Sequence, residues 1–289
     1  TLWTANWSPD GQYIAIGGVD QEVRIFSGTT FELLKTYPLA ENIMRLRWHP
    51  KKNILAVAAS GKGTRLINVD LNETIIFEGV ENLGGRAIAW NRTGKLIAIA
   101  DYDSKLSIWN HKGKLLRVIK KTNTKSYVAV DWHPQKNQIT ALSEYIRQYD
   151  KKGRLLNKIA HRKEKVLMLC VKWHPSGNFF VIGDYGDYDY HYPALLQFWY
   201  PNGRLQKEIK LSKAEYRNIS WNKEGTLLAT ASDAMRIWSR EGKLLSEGAS
   251  NDLLWGIDWS PDGHYIVTSS GKGEIKIRDK DAKLIKEIT

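Results

Sequence analysis

Cysteine is almost absent from this sequence: among 289 residues, Cys170 is the only one. A single cysteine cannot form a disulfide within the chain, so the class of small secreted proteins held together by disulfides is excluded. A reducing compartment fits this composition, and we expect a cytoplasmic location.

Long apolar runs are also lacking. No run approaches the roughly 18 residues that a membrane-spanning helix needs, so we expect no membrane partner. A charged and then apolar secretory leader is not seen at Thr1. Because the chain does not begin with Met, the sequence is also compatible with the removal of a leader or an upstream segment.

Motifs that would indicate an enzyme are scarce. No two histidines stand at metal-ligand spacing on one element, and His49, His133 and His174 recur in Trp-His-Pro turns. They are therefore interpreted as turn residues. The glycine-rich segments 60–63 and 270–273 lack the spacing of a phosphate-binding loop and a following helix. We expect a protein that is not an enzyme and holds no cofactor or metal.

What the chain does contain is a short motif that occurs seven times. In its fullest copies, at residues 7–11 and 259–263, a tryptophan is followed by Ser-Pro-Asp-Gly. The spacings between successive tryptophans are 41, 42, 42, 41, 48 and 38 residues. Self-similarity near 40 residues indicates a repeat architecture. The seven tryptophans are Trp7, Trp48, Trp90, Trp132, Trp173, Trp221 and Trp259.

Each unit has the pattern of four short strands. The first strand ends at the tryptophan, and a Pro/Gly turn follows. The second is a nearly continuous apolar run, such as residues 54–57, which is typical of a strand buried on both faces. The third ends in a bulky residue in most units, for example Trp109 or Trp238. The fourth mixes apolar residues with lysine, as expected of an outer edge strand.

Seven units of four antiparallel strands, with no helical stretch, predict an all-β fold: a seven-bladed β-propeller in a single domain, residues 1–289. We expect the tryptophans to pack between blades. The chain opens in a first strand and ends in a fourth. We therefore expect blades in phase, without exchange of a terminal strand, so that the first and last blades meet by packing alone. The predicted blades are 1–40, 41–82, 83–123, 124–162, 163–213, 214–250 and 251–289.

The Trp-Ser-Pro-Asp-Gly turns, together with third strands such as residues 106–110 and 235–239, resemble the WD-repeat β-propeller family over essentially the whole chain. The resemblance implies that loops around one mouth of the central channel bind peptides or proteins. The family's Gly-His pair before the first strand is missing from every unit, and its Trp-Asp ending is degraded, for example to Trp109-Asn110. The family's buried Asp-His-Ser-Trp network therefore cannot be assembled, and packing is expected to replace it.

The spacing of 48 residues marks an insertion in the fifth unit. Residues 183–193 contain four tyrosines, three aspartates and a histidine. Because tyrosine is enriched at protein interfaces, one interpretation is a partner-binding loop with Tyr185, Tyr188 and Tyr190 as contacts. The alternative is a long hairpin whose tyrosines lie on its own blade. A less favoured interpretation is a calcium site, although the spacing matches no known calcium loop. Its ligands would be Asp184, Asp187 and Asp189.

A second group of candidates stands four residues before the repeat tryptophan, at a position that varies widely between units. This variation indicates a place near the channel mouth that packing does not dictate. The alternative for Trp3 and Trp255 is that each packs beneath a neighbouring loop, whereas Arg86 and Arg217 are expected to face solvent or a ligand. Tyr216, beside Arg217, is added as a partner-binding candidate. The remaining residues at this position are Met44, Val128 and Leu169.

The net charge of +12 favours anionic partners in principle. Basic residues recur in the turn before the fourth strand, where a solvated edge is a better explanation than nucleic-acid binding. The favoured function is a non-enzymatic scaffold that binds a protein or peptide through the loops around the channel mouth. The alternatives are an enzyme or small-molecule site at that mouth, and an electrostatic nucleic-acid binder. The recurring basic residues are Lys112, Lys114, Lys152, Arg154, Arg204, Lys207, Arg240, Lys243, Lys280 and Lys283.

Overall fold

The computed structural model describes residues 1–77, 84–120, 126–161, 166–186 and 192–288. These residues form seven antiparallel sheets, and each sheet contains four strands in sequence order. The prediction of an all-β, seven-bladed β-propeller is therefore confirmed. Within the described ranges the single helical element is a short 3-10 turn, Gly61–Gly63, and no helix is long and apolar enough to span a membrane.

The strand bounds follow the repeat closely. Blades one to four contain β1 (Leu2–Trp7), β2 (Tyr13–Gly18), β3 (Glu22–Ser27), β4 (Leu33–Pro38), β5 (Ile43–Trp48), β6 (Ile54–Ala59), β7 (Arg65–Asn68), β8 (Glu73–Ile76), β9 (Gly85–Trp90), β10 (Leu96–Asp101), β11 (Lys105–Asn110), β12 (Leu115–Lys120), β13 (Ala129–Trp132), β14 (Gln138–Leu142), β15 (Tyr145–Asp150) and β16 (Leu155–Ala160). Blades five to seven contain β17 (Met168–Trp173), β18 (Phe180–Asp184), β19 (Leu196–Trp199), β20 (Leu205–Ile209), β21 (Asn218–Trp221), β22 (Leu227–Ala231), β23 (Ala234–Ser239), β24 (Leu244–Ala249), β25 (Leu254–Trp259), β26 (Tyr265–Ser270), β27 (Ile275–Asp279) and β28 (Leu284–Ile288).

The first strand of each blade is the innermost one. Each first strand contacts the first strands of the two neighbouring blades, and β25 contacts β1, so these seven strands surround a central channel. The second strands are buried between blades, as their continuous apolar runs predict; β6, for example, is buried at every position except Ile54. The fourth strands lie at the outside, and β8 is exposed at every position.

The repeat tryptophans lie between blades, which confirms the prediction. The indole N–H of Trp48 donates to the carbonyl oxygen of Asn6 in the preceding blade at 3.0 Å. The indole N–H of Trp90 donates in the same way to Arg47 at 3.1 Å. These side chains are almost completely buried. At Trp48 and Trp90 the side chain therefore both fills the inter-blade gap and ties neighbouring innermost strands together.

The Trp-His-Pro turns add a second link between blades. His174 donates from Nε2 to the carbonyl oxygen of Gly225 in the next blade at 2.8 Å. Its Nδ1 accepts the backbone N–H of Ser176 at 3.1 Å, which fixes the tautomer. The interpretation of these histidines as turn residues is thus consistent with the structure, and the structure adds a bridging role.

The ring closes without strand exchange: β1 pairs with β2, and β28 pairs with β27 of its own blade. The first and last blades share an apolar cluster that includes Ile16 and Val267. The expectation that they meet by packing alone was wrong, because the Ser269 hydroxyl also donates to the carbonyl oxygen of Leu2 at 3.0 Å. The first two strands of the last blade, β25 and β26, thus present polar side chains to the first blade, and these satisfy backbone groups that packing would leave unpaired.

Candidate functional site at the channel mouth

The innermost strands begin with a β-bulge at the channel mouth. In β1 the register shifts between Leu2 and Thr4, so Trp3 is the extra residue. A bulge opposes two residues to one, bends the strand and redirects the side chain of the extra residue. The position four residues before the repeat tryptophan is therefore turned toward the channel. The same shift occurs in four other blades, at Met44, Arg86, Leu169 and Trp255.

The two remaining blades show the same two-against-one arrangement just before the strand begins. The backbone N–H of Arg217 donates to the carbonyl oxygen of Ala231 at 3.0 Å, while Ala231 is also the ladder partner of Asn218. Val128 donates in the same way to Leu142, the partner of Ala129. All seven blades thus aim the same sequence position at the mouth.

These side chains meet at one cavity of about 150 Å³. The structure therefore brings together Trp3, Arg86, Arg217 and Trp255, which the sequence analysis had grouped only by their position in the repeat. Backbone geometry explains the convergence, because a ring of bulged strands directs one residue per blade toward the axis. The complete lining is Trp3, Met44, Arg45, Arg86, Tyr102, Val128, Leu169, Arg217 and Trp255.

One side of the cavity is a stack of aromatic and cationic groups. The rings of Trp3 and Trp255 lie 6.2 Å apart between centroids. The guanidinium carbon of Arg217 lies 3.8 Å from the centre of the Trp255 ring and 5.7 Å from that of Tyr185. The carboxylate of Glu215 forms an ion pair with Arg217. Cation–π contacts and the ion pair hold this guanidinium in one orientation before any ligand binds.

The opposite side is built around Arg86. Its guanidinium donates to the hydroxyl of Ser126 at 2.7 Å and lies 5.3 Å from the centre of the Tyr102 ring. The Tyr102 hydroxyl donates to the sulfur of Met44 at 3.4 Å. Burial lowers the pKa of Arg86 and raises the pKa of Tyr102. At neutral pH the pair is therefore a cation beside a neutral phenol.

Arg45 is a lining residue that the sequence analysis missed. It stands three residues before its repeat tryptophan and also lines a narrower cavity deeper in the channel. Burial, with the neighbouring arginines Arg47, Arg217 and Arg86 as further causes, lowers its pKa to about 10. A signal was present in the sequence, because this is the single charged residue at a position that is otherwise small or uncharged. The equivalent residues are Thr4, Ala87, Ala129, Cys170, Asn218 and Gly256.

The tyrosine candidates have different outcomes. Tyr185 is 37% exposed and borders the stack through Arg217. Tyr188 and Tyr190 lie outside the described residues, as do Asp187 and Asp189. Tyr216 is 0% exposed and packs in an apolar cluster of the fifth and sixth blades. The expectation that Tyr216 contacts a partner is therefore wrong, because its ring points into the core while the neighbouring Arg217 points to the mouth.

Asp184 fixes the base of the insertion. It is completely buried, and its Oδ1 accepts the backbone N–H groups of Gly186 at 3.0 Å and of Leu195 at 2.7 Å. Its Oδ2 lies 3.1 Å from Nε2 of His161. Both carboxylate oxygens are thus engaged by protein groups, which gives Asp184 a structural role in place of the calcium-binding one. Among the residues that the structure describes, no cluster of three or more His, Cys, Asp or Glu side chains could hold a metal ion.

The other end of the channel differs in its charges. A polar cavity of about 170 Å³ there is lined by Arg47, Lys172, Ser220 and Asp258, among others. The ammonium of Lys172 lies 3.4 Å from Asp131. Burial lowers the pKa of Arg47, and the negative charges of Asp258 and Asp131 partly oppose that shift. Positive and negative groups alternate here, in contrast to the mouth with its three arginines.

Two further expectations concern residues away from the channel mouth. The ten basic residues of the recurring turns are all exposed, as a solvated edge requires. Cys170 is buried inside the fifth blade, and burial raises the pKa of its thiol to about 12. The thiol is therefore uncharged at neutral pH and acts as a small core side chain.

Comparisons with known proteins agree with this architecture. The family model "WD domain, G-beta repeat" matches residues 1–27, and the model "Eukaryotic translation initiation factor eIF2A" matches residues 163–280. Among curated relatives, the ribosome biogenesis protein BOP1 homolog of Aedes aegypti is 21% identical over 85% of this chain and 33% of its own length. The chain therefore spans about a third of the length of that relative.

Two other relatives match smaller parts of the chain. The APC/C activator protein CDC20 of Saccharomyces cerevisiae is 25% identical over 49% of this chain and 23% of its own length. The intraflagellar transport protein 80 homolog of Mus musculus is 24% identical over 67% of this chain and 24% of its own length. Taken with the seven four-stranded blades, these matches show that the chain is similar to proteins of the WD-repeat β-propeller family.

Proposed function

We propose that this propeller is a non-enzymatic scaffold that binds a peptide segment of a protein partner at the channel mouth. WD-repeat propellers related to this chain are typically interaction scaffolds without catalytic activity. That likeness supports the general function. The arrangement of side chains around the cavity supports the mouth as the binding face.

The observation that carries the proposal is that all seven blades direct one residue, at the start of the innermost strand, to one partly exposed cluster of tryptophan and arginine. These two residue types, with tyrosine, are enriched among the side chains that dominate binding energy at interfaces. At this cluster, Trp255 already contacts both Trp3 and Arg217 in the free protein. Because the side chains are ordered in advance, a partner loses little of its binding free energy to ordering them.

The size of the cavity indicates what enters it. A volume of about 150 Å³ accommodates one side chain and not a folded domain. The partner therefore inserts a side chain of an extended segment, and the rest of that segment contacts the surrounding loops. Tyr185 and Tyr192, with exposed fractions of 37% and 45%, stand at either end of the insertion and extend the contact surface to the fifth blade.

The location of the protein and the nature of the partner are part of the same proposal. A cytoplasmic location stays a prediction from the single cysteine. A nucleic-acid partner would use the exposed basic rim in place of the mouth, and its binding would fall steeply with salt concentration.

The test is affinity capture from a nuclease-treated lysate, with the intact chain and two variants as baits. Trp255→Ala removes the centre of the stack. Leu116→Ser and Leu156→Ser together remove exposed apolar surface of similar size from the outer strands of the third and fourth blades. We expect a protein that the parent and the outer-strand variant retain and that Trp255→Ala loses. All baits must first show equal melting temperatures.

A photoreactive amino acid at Tyr185 then tests the face directly. We expect it to crosslink the captured protein, whereas the same group at Leu116 does not. A further variant replaces residues 187–191 by a short Gly/Asn turn and keeps Asp184 and Gly186. It measures how much the insertion contributes to partner binding. Capture that is lost with the outer-strand variant and unchanged with Trp255→Ala would contradict binding at the mouth. Loss of capture after nuclease treatment alone would favour the nucleic-acid alternative.

A further inference from the structure

We propose that the channel mouth is an oxyanion site, in which Arg45 and Arg86 bind the carboxylate or phosphoryl group of a side chain on the partner peptide. This inference rests on the proposed function and names the chemistry of the group that enters the cavity. It is carried by the position and surroundings of Arg45.

Arg45 is a partly buried cation without a partner. It projects from β5 into the channel and lines both the mouth cavity and the deeper cavity that Cys170 also lines. Within the described parts of the chain, its guanidinium has no hydrogen-bond acceptor and no carboxylate within ion-pair distance. A charge removed from bulk water without a partner is destabilising, so this residue is not explained by the stability of the fold.

The other arginines with little exposure all have acceptors. Arg147 pairs with Glu144, Arg236 pairs with Asp233 and Glu247, and Arg278 donates to two backbone carbonyls. Arg45 is thus an exception to the pattern that the chain itself follows elsewhere. In a scaffold that pairs its buried cations, an unpaired one in an open cavity indicates that the missing anion comes from another molecule.

The net positive charge of the cavity also favours an anionic ligand. Arg45, Arg86 and Arg217 line the mouth together, and Glu215, which pairs with Arg217, is the acidic residue that contacts them. Arg86 donates one N–H to the hydroxyl of Ser126, and this hydroxyl carries no charge. Two guanidinium groups therefore retain their positive charge uncompensated. A planar guanidinium binds a carboxylate or phosphoryl group through two parallel hydrogen bonds.

The aromatic walls restrict how the anion arrives. Trp3 and Trp255 flank the cavity on one side and Tyr102 on the other. A group carried on a side chain can place its methylene stem against these rings and its oxygens on the guanidinium groups. A free inorganic ion would use the arginines alone. We therefore expect the peptide-borne anion to bind more tightly than inorganic phosphate.

The experiment follows the indole N–H signals of ¹⁵N-labelled protein by NMR, with Trp3 and Trp255 assigned from Trp→Phe variants. The probes are inorganic phosphate, N-acetyl-phosphoserine amide, N-acetyl-glutamate amide and, as the neutral control, N-acetyl-glutamine amide, all at constant ionic strength. We expect saturable shifts of the Trp3 and Trp255 signals with the anionic probes and none with the glutamine probe. The signal of Trp109, buried in the third blade, should stay unchanged.

The matched variants are Arg45→Met, in the cavity, and Arg154→Met, on the exposed rim. Arg45→Met should weaken binding about tenfold or more, as expected for the loss of charge-assisted hydrogen bonds, whereas Arg154→Met should leave it unchanged. Because Arg45 is unpaired, Arg45→Met should also melt at the same temperature as the parent or higher. If it melts lower, Arg86→Met serves as the second variant, and it too should weaken binding.

The outcomes distinguish a phosphoryl group from a carboxylate as the bound anion, and the oxyanion site from the scaffold function. Tighter binding of the phosphoserine probe assigns the site to a phosphoryl group, and tighter binding of the glutamate probe assigns it to a carboxylate. Equal shifts with the glutamine probe, no shifts with any probe, or unchanged binding in both Arg45→Met and Arg86→Met would overturn the oxyanion site. If that happens while Trp255→Ala still abolishes partner capture, the scaffold function stands and this inference alone fails.

Discussion

The carboxylate of Asp258 accepts the backbone N–H of Trp7 at 2.9 Å, which joins the innermost strand of the last blade to that of the first. The same carboxylate accepts the hydroxyl of Ser220 at 2.6 Å. An equivalent bond runs from the backbone N–H of Trp173 to Asp131, also at 2.9 Å, between the fourth and fifth blades. An aspartate one residue before the repeat tryptophan thus links its blade to the next.

Asp258→Ala should therefore destabilise the ring. It leaves the N–H of Trp7 without its acceptor in a buried place, a loss that typically costs about 1–3 kcal/mol in the free energy of unfolding. Urea unfolding followed by tryptophan fluorescence measures the change. Asp281→Ala, on an exposed turn of the same blade, is the control and should unfold as the parent does.

The same site predicts a pH dependence. Burial raises the pKa of Asp258, so the folded state binds a proton more readily than the unfolded state does. The associated stability is present below the unfolded pKa of about 3.9 and is lost as the pH rises through the folded value. Asp258→Asn has no such loss. The variant should gain stability relative to the parent between pH 4 and pH 7, and a relative gain by the parent over that range would contradict this assignment.

A third prediction concerns two glycines at the same position of the tryptophan turn. Gly94 and Gly263 have φ angles of +68° and +73°, so alanine is strained at both. At Gly94 the new Cβ would also overlap the imidazole of His49 from the preceding blade, whereas at Gly263 the nearest atom is 3.8 Å away. Gly263→Ala should cost about 1 kcal/mol, and Gly94→Ala clearly more. Thermal unfolding of both variants tests this, and equal costs would show that His49 moves aside freely.

A fourth prediction is a loss of stability in mild acid. Burial lowers the pKa values of His49, His133 and His174. Their contribution to stability is present above the unfolded pKa of about 6.5 and is lost as the pH falls through the lower folded values. The parent should therefore melt at a lower temperature at pH 5 than at pH 7.5.

The matched control for the histidines comes from the chain itself, because Asn91 and Asn222 occupy the same turn position in the third and sixth blades. Their side-chain oxygens accept backbone N–H groups of the turn. A triple variant with asparagine in place of the three histidines should show a smaller decrease in melting temperature between pH 7.5 and pH 5 than the parent does. An identical loss in both proteins would assign the acid sensitivity to other groups.

Many residues that line the channel mouth could be predicted from the sequence repeat alone. The position four residues before each tryptophan varied from Trp3 to Arg86 to Val128, and a position that changes so freely is not constrained by core packing. That argument grouped residues which the structure places around one cavity. The prediction for Tyr216, which rested only on its place beside Arg217, was wrong, since a tyrosine next to a surface arginine has the same local sequence whether its ring faces solvent or the core.

The sequence by itself determined the number of blades, the order of the strands and the inter-blade place of the tryptophans. These features depend on a period near 40 residues and on alternation within strands, which are local properties of the chain. Tertiary structure decided which side chains are paired. The isolation of Arg45, the engagement of Asp184 and the bond from Trp7 to Asp258 depend on neighbours that are 11 to 251 residues distant in sequence or come from other blades. Only closure of the ring fixes those neighbours, because it sets the distance and direction between strands that share no local sequence.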